Sequence, residues 1–141
     1  MYKGSLSTDT LSKGNSMPRE IAWETSLRCA LELAKNSNKL VLASFFGAGC
    51  EACRKMKGCT LLTENVQEYI RKNFIPIKYE SGADSDQFMR FGITAKPAVL
   101  VFDCEGNELF RKIGYFDPEK YIEKLEMARK KAAHRAGKSH V

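Results

Sequence analysis

Two thiols three residues apart, Cys50-Glu51-Ala52-Cys53, are the residues best placed to do chemistry in this chain. They follow Gly47-Ala48-Gly49, which breaks an apolar run, and they open a helix-compatible stretch, CEACRKMKG. A helix start presents unpaired amides and roughly half a positive charge, both of which stabilise a thiolate. A free thiol of pKa about 8.5 can be brought to roughly 3.5–7.5 at such a position. One helical turn on, Cys53 shares the face of Cys50 and lies close enough for the two sulfurs to bond. That spacing suits reversible disulfide exchange, with Cys50 attacking and Cys53 resolving the mixed disulfide. Glu51 disfavours the Cys50 thiolate, whereas Arg54 and Lys55 favour it. Isolated CxxC pairs also occur as half of a zinc site or by chance. A closed zinc site needs four ligands, however, and no second pair completes one. Cys29, Cys59 and Cys104 are scattered, and His134 and His140 stand near the C-terminus. The odd cysteine count speaks against a disulfide framework. The three lone cysteines therefore read as small core residues, with an auxiliary thiol as the alternative for Cys59. Neither a metal nor any other cofactor is expected.

The surrounding elements must hold that pair at a strand-to-helix junction. Residues 1–20, rich in Ser, Thr, Gly and Lys, read as a flexible lead-in. Leu27, Ala30, Leu31 and Ala34 recur at helical spacing over 25–36, and Trp23 is expected to pack against that helix. Residues 40–46 (LVLASFF) form a near-continuous apolar run, as in a strand covered on both faces. A helix over 63–72, capped by Thr63, precedes a strand over 74–79, where Pro76 points to a strand end or an edge-facing amide. A short helix over 84–90 closes at Gly92, and residues 98–104 form a strand. Glu105-Gly106-Asn107 turns the chain into a hairpin strand over 108–113. Asp117-Pro118 then heads the last helix, whose stripe is Tyr121, Ile122, Leu125 and Ala128. A βαβ crossover followed by a hairpin and a closing helix predicts an α/β fold, a mixed central sheet flanked by helices on both faces. The phenylalanines at 45, 46, 74, 91 and 102 belong to its core.

Composition bounds the function. The 141 residues make one domain, and a hydrophobic share of 43% is enough for a self-sufficient core. The organisation expected is a lead-in over 1–20, a domain over 21–130 and a basic tail over 131–141. Of the net charge of +6, five charges come from basic residues after Glu126, where no acid follows. A near-neutral body with a basic tail is no nucleic-acid signature. No apolar run reaches membrane-spanning length, and the first twenty residues hold no secretory h-region. A cytoplasmic location is therefore expected, with a periplasmic one as the alternative if a signal peptide has been removed.

Residues 20–130 resemble the thioredoxin superfamily. The matching pieces are KLVLASFFGAGCEACRKM and FIPIKYESGADSDQFMRFGITAKPAVLVFDCEGNELFRKIGYFDPEKYIEKL. The lead helix IAWETSLRCALELAKNSNKLVL and the stretch CTLLTENVQEYIRKNFIPIKYE are similar to a group that includes the C-terminal domain of bacterial thiol:disulfide interchange proteins. The resemblance implies a thioredoxin-like fold with an extra N-terminal segment. It also implies a cis bond before Pro97, in Thr94-Ala95-Lys96-Pro97-Ala98, with Lys96 and Ala95 facing an extended substrate. The activity it implies is thiol–disulfide exchange on protein disulfides, as a monomer recharged by an upstream thiol electron donor. The alternative is a non-catalytic redox sensor or partner-binding module. Three departures stand out. Ser44 occupies the place of the buried acid many thioredoxins carry, with Glu80 as a candidate replacement. Gly49 stands for the usual tryptophan, and Glu51-Ala52 for the usual Gly-Pro.

Overall fold

The computed structural model of the protein describes residues 21–139, and side chains as far as Arg135. The expected lead-in over 1–20 and His140 lie outside the described residues.

Helix α1 (Leu27–Ser37) starts where the Ser26 hydroxyl accepts the Cys29 N–H at 3.3 Å, and ends at left-handed Asn38, φ 60°. Strand β1 (Leu40–Phe46) follows, then α2 (Glu51–Gly58) and a 3-10 turn over Thr60–Leu62 that the apolar pattern does not reveal. Thr63 precedes α3 (Glu64–Asn73) as expected, but its hydroxyl donates to the Cys59 carbonyl at 3.0 Å and leaves the helix amides uncapped. The 3-10 turn brings that carbonyl within reach, and the hydroxyl takes it. Strand β2 (Phe74–Glu80), α4 (Ser85–Arg90), β3 (Ala98–Phe102) and β4 (Glu108–Ile113) complete the order. The last helix, α5, runs Pro118–Ser139, with Asp117 Oδ1 accepting the Lys120 N–H at 2.9 Å. It passes without a break through position 131, where the tail was expected to begin. Ala132 still packs against the core there.

The sheet order is β2-β1-β3-β4. Strand β1 runs parallel to β2 and antiparallel to β3, which pairs antiparallel with β4. Pro76 thus sits in an edge strand, opposite Leu42. Its carbonyl accepts the Glu24 N–H at 2.8 Å, which lays residue 24 along that edge.

Alternation along β1 divides the core in two. Val41, Ala43 and Phe45 face Ala30 and Ala34 of α1 and Phe88 of α4. Leu42 and Phe46 face the other way, toward Cys53 and Met56 of α2, Val66 and Ile70 of α3, and Tyr121 and Leu125 of α5. Helices thus cover both faces, as the sequence predicts. Across the second face the Tyr69 hydroxyl donates to the Glu126 carboxylate, which also takes Arg129 at 2.8 Å, tying α3 to α5. These hydrogen bonds from Tyr69 and Arg129 hold the Glu126 carboxyl below its ordinary range.

Two packing expectations change. Trp23 does not pack against α1, because the Glu24 bridge carries it to the opposite face, edge-on to Phe46 at 6.4 Å between ring centroids. Two of the lone cysteines are not core residues either: Cys29 and Cys59 are exposed, whereas Cys104 is half-buried and packs against the core as expected. Helix α1 turns Ala30 and Ala34 to the sheet, which rotates Cys29 out by the helical pitch. Cys59 follows the end of α2, and Cys104 begins the turn after β3.

Candidate active site

The C-terminal end of β1 delivers the chain from the core to the surface within four residues. Phe46 is buried, Ala48 and Gly49 are exposed, and Gly49 takes φ 68°, a backbone conformation that favours glycine. Cys50 then sits in extended conformation at the N-cap of α2, and its Sγ accepts the Cys53 N–H at 3.1 Å. Cys50 and Cys53 are joined as a disulfide, with Cα atoms 5.2 Å apart. Cys50 is half-buried at the rim of a hollow of about 350 Å³, whereas Cys53 is 2% exposed. The inner sulfur accepts the Gly47 N–H at 3.4 Å. Each sulfur is therefore set against a backbone donor, the arrangement that holds negative charge on sulfur.

On the β3 side of Cys50 lies the loop at 93–97. The Lys96–Pro97 bond is cis, and the Lys96 carbonyl oxygen stands 3.7 Å from Cys50 Sγ. Pro97 is buried, and its carbonyl takes the Gly114 N–H at 2.7 Å, while Ala95 and Lys96 are exposed. The Lys96 side chain crosses Gly47 so closely that a Cβ on residue 47 would lie 2.7 Å from Lys96 Cδ. A Cβ there would have only to displace the flexible end of exposed Lys96, so the contact marks a close approach and does not demand glycine.

Charge around the pair is mixed. Glu51, with a side chain 80% exposed, pairs with Arg54 at 2.5 Å across the rim. Ala52 is half-buried between the cysteines. Lys55 Nζ stands 4.8 Å over the Tyr115 ring. Lys57, one turn beyond Cys53, lines the hollow and pairs with Glu80 at 3.0 Å. Glu80 is half-exposed at the end of β2, so it reaches the hollow only through Lys57 and is no buried acid. Ser44 is buried on the active-site side of the sheet and hydrogen-bonds with fully buried Tyr121, whose phenol burial pushes up. Among the described residues no Asp or Glu is buried, so no carboxylate lies beneath the cysteines.

The fold therefore gathers Cys50, Cys53, Lys96 and Pro97 at one point, with Glu51, Ala52 and Arg54 around it. Ala95 lies beside Lys96, and Glu80 is at one remove. Gly47, Lys57 and Tyr121 join the site without having been singled out in the sequence. Lys57 was findable by its four-residue spacing from Cys53, but the contact between Lys96 and Gly47 leaves no local trace. In the reduced protein, Cys50 is expected to be alkylated by iodoacetamide with a midpoint well below pH 8.5, the ordinary thiol value. Rate against pH, read by mass on Cys50, checks this; a midpoint at 8.5 would remove the contribution of the helix terminus.

A thioredoxin-like domain model matches residues 27–129. Thiol:disulfide interchange protein DsbD from Yersinia pestis is 22% identical over an alignment of 99 residues that covers 67% of this chain and 17% of that protein. The chain thus spans under a fifth of the length of these curated relatives. Among solved structures, a thioredoxin from Thermus thermophilus aligns with TM-score 0.67 at 17% identity, covering 77% of this chain and 87% of that one. The oxidised C-terminal domain of DsbD from Neisseria meningitidis aligns with TM-score 0.62 at 21% identity, covering 76% and 99%. At such identities these structures speak for the fold. The chain belongs to the thioredoxin-like domain family, whose model covers most of its length.

Proposed function

We propose that this thioredoxin-like chain is a thiol–disulfide oxidoreductase that exchanges disulfides with protein substrates through Cys50 and Cys53. One observation carries the reading: a half-buried sulfur at a helix start lies over a buried one, and each faces a backbone N–H, at 3.1 and 3.4 Å. The Cys50 thiolate attacks one sulfur of the substrate disulfide. That bond breaks, a Cys50–substrate disulfide forms, and the departing substrate thiolate takes up a proton. Cys53, losing its proton, then attacks the Cys50 sulfur. The second substrate thiol is released and the Cys50–Cys53 disulfide forms, so two electrons have passed to the substrate. An upstream thiol donor returns the pair to the dithiol.

Lys96 and Ala95 are exposed beside buried Pro97, which suits an extended substrate pairing with their backbone. Glu51 and Arg54 oppose each other at the rim and so modulate Cys50 in opposite senses, while Glu80 acts through Lys57. A monomer suffices for every step. The cytoplasmic placement expected from the sequence gains no support from the relatives, and the potential of the pair distinguishes the compartments. A value near −270 mV suits a reducing one, and −120 to −180 mV an oxidising one.

The second reading, a redox sensor without turnover, is favoured by one observation: Gly49 and Glu51 leave the outer cysteine with no aromatic neighbour in the chain. Turnover decides. With dithiothreitol as donor, catalytic amounts of the protein are expected to reduce a protein disulfide many times over. A single stoichiometric exchange that then stops would make it a sensor.

A further inference from the structure

Next to the hollow, a groove of about 170 Å³ opens beside edge strand β2. Trp23 and Phe46 form its apolar floor, and Leu62, 41% exposed, forms one lip. Lys57 Nζ stands 4.7 Å over the Phe46 ring, and Lys78 Nζ 5.7 Å over the Trp23 ring. Among the described residues one carboxylate meets both ammonium groups: Glu80, 3.0 Å from Lys57 and 3.9 Å from Lys78. Two cations against one anion leave a positive charge unmatched above an apolar floor. A ligand complementary to that arrangement carries a carboxylate beside an apolar side chain. Burial of the apolar group supplies affinity, and the second carboxylate selects.

We propose that this groove binds an acidic–apolar segment of the partner protein that flanks the disulfide being exchanged. That the bound segment flanks a disulfide in exchange rests on the function proposed above; the ligand chemistry of the groove does not. Lys57 connects the two places, since it lines both the groove and the hollow that holds Cys50 and Cys53. It lies seven residues after Cys50 along α2, a rise of about 10 Å. An extended chain covers that span in about three residues. A carboxylate about three residues from the partner's reacting cysteine therefore meets Lys57 while its apolar neighbour covers Trp23.

Trp23 is the one tryptophan of the chain, so its emission reports occupancy directly. Titrating the full chain with the cysteine-free peptide acetyl-Glu-Leu-Glu-Phe-amide is expected to give a saturable change. Acetyl-Lys-Leu-Lys-Phe-amide should give none over the same range. Raising salt from about 0.05 to 0.5 M should weaken the acidic peptide several-fold. The double variant Lys57→Gln, Lys78→Gln should weaken it about fivefold or more, since each exposed pair contributes up to about fivefold. Equal binding of the two peptides, no saturable change, or wild-type affinity in the folded double variant overturns the proposal. So does a Trp23 signal that depends on protein concentration without peptide, which would mean that a second copy fills the groove. Disulfide peptides bearing Glu or Lys three residues from the cysteine should differ about fivefold in kcat/KM, acid favoured. If neither is turned over, the exchange reading fails, and the cysteine-free titration still decides the groove.

Discussion

Replacing Cys50 by serine is expected to bring catalysed reduction of a protein disulfide down to the uncatalysed rate. No other cysteine takes over its place: Cys29 and Cys59 are exposed away from the hollow, and Cys104 starts the turn beyond β3, at the other end of that strand from Pro97. Cys53→Ser should fail differently. Cys50 can still attack, but the buried partner that would displace it is gone, so a covalent adduct with the substrate accumulates. Resolution by Cys53 is intramolecular, which gives it an effective concentration far beyond that of any thiol in solution. The adduct should therefore persist through non-reducing electrophoresis and appear by mass as protein plus substrate. Turnover surviving in Cys50→Ser, or no adduct with Cys53→Ser, would remove the assigned roles.

The second large effect is on stability. Phe45 is fully buried in the face covered by α1 and α4, edge-on to Phe88 at 5.1 Å and to Phe91 at 6.2 Å. Truncation to alanine should cost about 3–5 kcal/mol, against a total stability of about 5–15 kcal/mol for an ordinary domain. Urea unfolding followed by circular dichroism should show the midpoint falling with an unchanged slope. A loss under about 1 kcal/mol would mean that the site collapses around the cavity. Because Phe45 faces away from the cysteines and Phe46 toward them, the folded fraction of the variant should keep its rate of disulfide exchange.

The architecture was legible because its signals are local and redundant. The run over 40–46 appears as β1 with the same limits, and Asp117-Pro118 caps the last helix as its residue types require. The CxxC pair was legible for the same reason, since a glycine-rich break between strand and helix fixes its surroundings. What was hidden depends on partners far along the chain. Thr63 has the residue type of a cap, yet the 3-10 turn before it offers a carbonyl instead. Trp23 could be placed on the wrong face because one backbone bridge to Pro76 determines its side. The cover that Lys96 gives Gly47 joins residues 49 positions apart, and no periodicity records such a contact.

The two borders of the sheet have a consequence for how the molecule behaves in a crowd. An unpaired border strand is a template for adding another chain, the first step toward aggregation. On the β2 side, Pro76 has no N–H to offer at the position where its carbonyl points outward, and Glu24 already occupies that carbonyl. On the β4 side the border carries Glu108, Arg111 and Lys112, with Glu108 and Arg111 paired at 2.7 Å. One border is chemically blocked and the other is charged. The strand-like contact proposed beside Pro97 is thus set apart from two borders that, among the described residues, resist the addition of a strand.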